Sequence, residues 1–145
     1  MTSGPNLPKP QGIYIPCNRV GQFLFVSGVT PRRDGQLILT GAIGDEQPID
    51  VLREAIRLAA ANALVLARNE LSEGETISGI ASMTCFIKCS EHFEKHSAIA
   101  DFASAYLVEE LGDAGIGSRA AVGVSSLPGN APVEIQLIAI AGDRS

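Results

Sequence analysis

Hydrophobic and polar positions along the 145-residue chain change period several times, and each change marks an element. Residues 13–17 and 22–27 read as two strands separated by Asn18, Arg19 and Gly21. In the second, Phe23, Leu24, Phe25 and Val26 are apolar on both faces, the pattern of an interior strand. Gly28, Pro31 and the Asp34-Gly35 pair then break the chain, and Leu37, Ile38 and Leu39 offer a short third strand. Asp45, Glu46 and Pro48 supply an acidic, proline-marked helix start, after which residues 49–71 contain neither glycine nor proline. Arg53, Glu54, Arg57, Arg68 and Glu70 keep one side of this helix wet, while Leu52, Ile56, Ala59, Ala60, Leu64 and Ala67 follow helical spacing.

Residues 77–89 form an apolar, partly β-branched stretch suited to a central strand. Ser90 is placed to cap a second amphipathic helix over residues 91–111, with Phe93, Ala100, Ala103 and Leu107 inward and Gly112 as its stop. A strand at 119–126, a turn at 127–132 and a last strand at 133–140 complete the order βββαβαββ. The pattern predicts one α+β domain over residues 1–145, a mixed sheet with both helices packed on one face and residues 1–10 as a flexible tail. The opposite face, to which Met83, Ile87 and several valines are assigned, is too apolar to be left in water, and subunit association is its simplest cover.

Composition narrows the function classes. A hydrophobic share of 46% with 19% charged residues is that of a folded globular chain. The net charge is −5 and the 11 basic residues are scattered, so nucleic acid meets repulsion and no basic track. The one basic doublet, Arg32-Arg33, lies beside Asp34 in a turn-like stretch and reads as a solvated turn. Cys17, Cys85 and Cys89 are too few for a disulfide framework, and four positions along a strand put Cys85 and Cys89 roughly 13 Å apart, beyond disulfide reach. The polar opening carries no signal pattern and no run has the length of a membrane helix, so a reducing cytoplasm is the expected compartment.

Several motifs carry candidate chemistry. Gly112, Gly115 and Gly117 follow a helix and precede a strand, the reverse of a dinucleotide fingerprint, and read as a helix stop. His92 and His96, four apart on the second helix, have a spacing that can hold a metal, but no third ligand is evident and Lys95 adds positive charge; an exposed, unmetallated face is expected. Ser27 and Gly28 end a strand without a nucleophile-elbow sequence, and either present a hydroxyl and backbone groups to a ligand or simply terminate the strand. Arg119 opens a strand of small residues, where a guanidinium needs a partner and a carboxylate fits its planar fork. Glu134 stands between Val133 and Ile135, on the face opposite to theirs. An ordinary edge or surface charge is the alternative for both. If the last two strands form a hairpin around residues 127–132, Glu134 pairs near Val124 or Ser125 and Arg119 lies roughly 15–20 Å away. Either the pairing is more complex, or a neighbouring subunit completes the site.

Three segments, FVSGVTP at residues 25–31, TGAIG at 40–44 and SRAAVGVSSLPGNAPVEIQLIAI at 118–140, occur together in this chain. With them, residues 10–142 resemble the Rid or YjgF family of reactive-intermediate imine deaminases. The resemblance implies a chorismate-mutase-like fold, a homotrimer with a ligand pocket between adjacent subunits, and no cofactor. It implies that Arg119 binds a substrate carboxylate, that Glu134 of the next subunit positions water or acts as base, and that Tyr14, Ser27 and Gly28 line the pocket. Ala121 stands where the family's well-known deaminases commonly carry a cysteine. The implied reaction is hydrolysis of a 2-imino or enamine acid to a 2-oxo acid and ammonia. The alternatives are deamination of a specific catabolic metabolite such as an aminomuconate-like acid, with the Arg32-Arg33 turn helping to select it, and a trimer that binds small carboxylates or shields other proteins without turnover. Nuclease activity, a label attached to parts of the family, is the reading least supported by the charge.

Overall fold

The computed structural model describes residues 7–143. Its main sheet has five strands in the order β1-β2-β7-β5-β6. These are β1 (Cys17–Val20), β2 (Phe23–Val29), β5 (Glu75–Lys88), β6 (Ser118–Val124) and β7 (Val133–Asp143), while β3 (Arg32–Arg33) and β4 (Gln36–Leu37) form a separate small hairpin. β7 is antiparallel to both of its neighbours, and β6 runs parallel to β5 at the far edge. A parallel pair requires a crossover, which α2 (His96–Leu111) supplies. The other helix, α1 (Arg53–Arg68), follows a 3-10 turn, Ile49–Leu52, so the predicted helix is present but shorter at both ends.

Both helices cover one face of the sheet, as the sequence predicts. Leu24 and Val26 on β2, Met83, Cys85 and Ile87 on β5, and Val133, Ile135, Leu137 and Ala139 on β7 are buried there against Ile56, Ala60, Leu64, Ile99, Ala103 and Leu107 of the helices. Cutting one of the larger aliphatic side chains in such a core to alanine costs about 2–5 kcal/mol. Salt links join the helices at their outer surface: Arg57 makes two hydrogen bonds to Glu109, of 3.0 and 2.7 Å, and Arg53 stacks over Phe102 at 4.3 Å.

Several expectations change. The first strand begins at Cys17 rather than ending there, and Asn18 and Arg19 lie inside it. The turn falls instead between Val20 and Phe23, where Gly21 takes φ +62. The third strand shrinks to two residues of β4. The second helix starts at His96 rather than at residue 91, because Phe93 is drawn into the core by a turn closed by its N–H on the Ser90 carbonyl. Ser90 caps no helix; its hydroxyl donates to Asp45. Met83 and Ile87 belong to the buried, helix-side face. The face away from the helices carries other apolar groups: Phe23, Phe25 and Val122 are exposed, and Phe86, Ile138 and Ile140 are half-buried. Of the tail expected over residues 1–10, residues 1–6 lie outside the described part, and Leu7 packs against the core. Among the described residues, no helix is long and apolar enough to cross a membrane.

At the β1 edge, Arg19 grips Glu75 with two hydrogen bonds of 2.7 and 2.8 Å and also reaches the Glu70 carbonyl. The Arg19 guanidinium, helped by the Ser72 N–H, lowers the Glu75 carboxyl to about 2. The depressed folded-state value means that this contribution to stability is present above the ordinary carboxylate range and is lost as pH falls toward 2. Thermal melts between pH 5 and pH 2 should therefore show a steeper loss for the wild type than for Glu75→Gln; parallel curves would refute the assignment.

Candidate functional site

Strand register settles where Arg119 and Glu134 stand. Glu134 pairs with Phe86 across β7 and β5, and Phe86 pairs with Val122 across β5 and β6. Directly paired residues share a face, so Glu134 and Val122 point the same way, away from the helices. Arg119 is three positions from Val122 and points the other way. The final hairpin is thus absent: β5 lies between β6 and β7. Two strand spacings and three residues along a strand leave roughly 14 Å between the two backbones, with the sheet between the side chains. Within one chain, these residues stand on opposite faces of the sheet.

The Arg119 half faces α2. Its Nη1 donates to Asp101 Oδ1 at 2.8 Å and Ser104 Oγ at 3.0 Å, and its Nη2 donates to Ser97 Oγ at 2.8 Å and the Ser97 carbonyl at 3.4 Å. Ser97, Asp101 and Ser104 recur at helical spacing and make a polar stripe that receives the guanidinium. All four terminal N–H groups are engaged, and an incoming carboxylate would take over the bond to Asp101, whose side chain is 70% exposed. Ala121 lies on the same face, two residues on, directly opposite Cys85 of β5. A thiol therefore lies directly across from Ala121, and burial pushes Cys85 up to about 11 and keeps it protonated at neutral pH.

The Glu134 half gathers residues of β2 and the segment before β1. Gly28 lies against Glu134 so closely that a Cβ there would stand 2.9 Å from the carboxyl carbon. Any side chain at position 28 would displace the acid. Glu134 is half-buried, accepts no hydrogen bond and has no ion-pair partner among the described residues, and desolvation raises its pKa above the ordinary carboxylate value. Gly28, Ser27 and Tyr14 line a cavity of about 400 Å³, closed on another side by residues 7–11. The Ser27 hydroxyl donates to the Ile15 carbonyl at 2.8 Å, which spends its proton and leaves its oxygen to accept from a ligand. The Tyr14 hydroxyl accepts from the Gln11 N–H at 3.0 Å and holds that wall in place.

Tyr14, Ser27 and Gly28 thus come together at one cavity, Glu134 adjoins it through Gly28 without lining it, and Arg119 and Ala121 do not join them. Arg32 lines the same cavity and is not the freely solvated turn residue that the sequence implies. Its alternation with Arg33, which is exposed and near Glu54, is the signal that separates the two. His92 lies before α2 rather than on it, so it does not share a helix face with His96. His96 instead stacks edge-on against Phe93 and lies 3.7 Å from Cys89 Sγ.

Comparison with known proteins places this geometry. The model of a family described as Endoribonuclease L-PSP matches residues 5–141. Among solved structures, Atu1372 from Agrobacterium tumefaciens is 30% identical with a TM-score of 0.80, covering 90% of this chain and 82% of its own. A protein from Shewanella oneidensis is 29% identical with a TM-score of 0.83, covering 94% and 90%. TdcF from E. coli, solved with bound serine, is 25% identical with a TM-score of 0.66, covering 99% and 97%.

The burial of Glu134 has a consequence for stability. Because its folded-state pKa is raised, the native protein gives up stability as pH rises through that value, and at neutral pH the ionised carboxylate opposes folding. Glu134→Gln should melt at a higher temperature than the wild type at pH 7, with the difference shrinking as the pH is lowered toward 4. A variant that melts lower at pH 7 would mean that the carboxylate has a stabilising partner.

Proposed function

Starting from a chain that belongs to the endoribonuclease L-PSP family, the Rid/YjgF family that its motifs resemble, we propose that it is a deaminase hydrolysing small 2-imino or enamine carboxylic acids to 2-oxo acids and ammonia. The observation that carries this reading is Glu134, a desolvated and unpaired carboxylate held against Gly28, the residue that with Ser27 and Tyr14 lines a neighbouring cavity. Such a group is a better base than a solvated glutamate. The bound serine of TdcF, a small carboxylate, supports a ligand of this class.

The opposite facing of Arg119 and Glu134 supports a site shared between neighbouring chains, Arg119 of one subunit completing the cavity of the next in a homotrimer. Phe23, Phe25 and Val122, exposed on the face without helices, are the apolar surface that such an assembly covers. In the proposed reaction, Arg119 holds the substrate carboxylate and Glu134 takes a proton from water as its oxygen bonds to C2 of the iminium. The C=N electron pair moves to nitrogen. Glu134 returns the proton to that nitrogen, and as the C–N bond breaks with its electron pair going to the leaving ammonia, the hydroxyl gives its proton to the again-ionised Glu134 and becomes the carbonyl of the 2-oxo acid. The iminium carbon is electrophilic by itself, so the protein supplies position, charge and a proton acceptor. The family's nuclease label gains no support from a chain of net charge −5.

With 2-iminobutanoate generated in situ, wild type should accelerate release of ammonia and 2-oxobutanoate over the uncatalysed rate, and Arg119→Ala or Glu134→Gln should lose roughly 100-fold or more of that acceleration. No acceleration by the wild type, or full rates in both variants, would defeat the proposal.

A further inference from the structure

Of the three thiols, Cys17 and Cys85 are buried in the core, and burial pushes each up to about 11. Cys89 is the partly exposed one, just past the end of β5, where its N–H donates to the Val124 carbonyl at 3.2 Å. Its sulfur lies 3.7 Å from His96 Nε2, within reach of a thiol hydrogen bond. His96 opens α2, and its ring meets Phe93 edge-on with centroids 5.3 Å apart. Phe93 is itself buried, so the core holds the imidazole in place. On the other side stands Gly123, an exposed residue of the edge strand β6, where a Cβ would lie 2.6 Å from Nε2 and 2.7 Å from Sγ. The backbone of Gly123 is not left-handed, so this position needs the room of a glycine rather than its conformational freedom. A side chain there would part the two atoms or cover them.

A sulfur nucleophile, a nitrogen base in contact with it and a third group that orients the base are the parts of a thiol that reacts covalently. The thiol does not stand ionised: burial raises it, the Val124 backbone offsets only part of that, and Asp45 raises it further. It reacts when His96 takes its proton in the same step, which suits an electrophile whose leaving group needs that proton back. A disulfide is such an electrophile. Asp45 is engaged by the Ser90 hydroxyl, Lys88 is engaged by Asn130 on the other face of the sheet, and Glu91, His92, Glu94 and Lys95 are exposed. His96 is therefore the base in contact with Sγ. The pair stands apart from the deaminase residues: Gly123 is four positions, roughly 13 Å, along β6 from Arg119, and Glu134 lies on the opposite face.

We infer that Cys89 and His96 form a thiol–disulfide exchange site that takes low-molecular-weight disulfides. Cys89 Sγ bonds to one sulfur of the disulfide while its proton passes to His96 Nε2. The S–S bond breaks with its electron pair on the second sulfur, and His96 gives the proton to that sulfur. The chain keeps a mixed disulfide at Cys89 and a small thiol departs, so the disulfide is the only oxidant consumed. No step of this depends on imine hydrolysis.

Incubating the folded wild type with hydroxyethyl disulfide, a small probe that stays neutral at every pH used, and following the intact mass and the labelled peptide tests it. One adduct per chain should form, on Cys89, at a rate that rises with the loss of an imidazole proton and flattens before the thiol titrates. His96→Gln should slow the reaction at least about tenfold at neutral pH, and its rate should climb with the thiol alone. Cys89→Ser should form no adduct, with thermal melts showing that both variants fold. No adduct on the wild type, labelling of Cys17 or Cys85 at a comparable rate, or a His96→Gln variant that keeps the wild-type rate and pH profile would overturn the inference. Should His96→Gln fail to fold, the wild-type profile decides alone: a rate that follows the thiol with no imidazole step contradicts the exchange site.

Discussion

Strand β7 is hydrogen-bonded on both sides, to β2 and β5, and buries Val133, Ile135, Leu137 and Ala139 in a row beneath the helices. A slip of one residue would carry that row to the other face and push Glu134 and Gln136 into the core, so the register is fixed by burial alone. The position of Glu134 is therefore a by-product of the core. The same register, passed through β5, puts Arg119 on the helix side of β6. A chain with this sheet order places its guanidinium and its carboxylate on opposite faces, whatever chemistry they serve.

Charge pairing divides along the same lines. At the periphery, Arg19 with Glu75, Arg57 with Glu109 and Arg68 with Glu110 tie strands and helices together at the surface. Glu134, packed against Gly28, lacks an ion-pair partner, and Arg32 at the cavity lacks a carboxylate, among the described residues. Partly buried charges without partners lower stability. Arg119 is an intermediate case. Its terminal N–H groups are satisfied by α2, and a ligand carboxylate would replace Asp101 rather than fill a vacancy.

Elements with a long, one-sided apolar period were legible from the sequence: α1, the core of β5, and β2 as an interior strand. The end at Gly112 was legible as well, because a glycine there interrupts an otherwise continuous helical pattern. β1 was misplaced because Asn18 and Arg19 look like a turn, while their partners across the strand are visible only in the fold. The face of Met83 and Ile87 is not legible in the sequence because a strand apolar on both sides carries no phase. The adjacency of β6 and β7 failed for a different reason. A six-residue turn with proline and glycine is what a hairpin would use, and only the α2 crossover, which docks β6 beside β5, excludes it. Of the two alternatives the sequence leaves open, the sheet order is the more complex pairing, and it keeps Arg119 and Glu134 apart in one chain by facing rather than by distance along a hairpin. In sequence Arg32 and Arg33 read as one solvated pair, and their separation depends on which side of a two-residue strand meets the cavity.

The central claim is that each site draws Arg119 from one subunit and Glu134 from another. Mixing the inactive Arg119→Ala and Glu134→Gln variants after subunit exchange, then measuring imine hydrolysis, tests it most directly. In a randomly mixed trimer about one site in four receives both intact residues, so activity should return to about a quarter of the wild-type level. A mixture as inactive as its two components, with exchange verified by mass, would contradict the shared site.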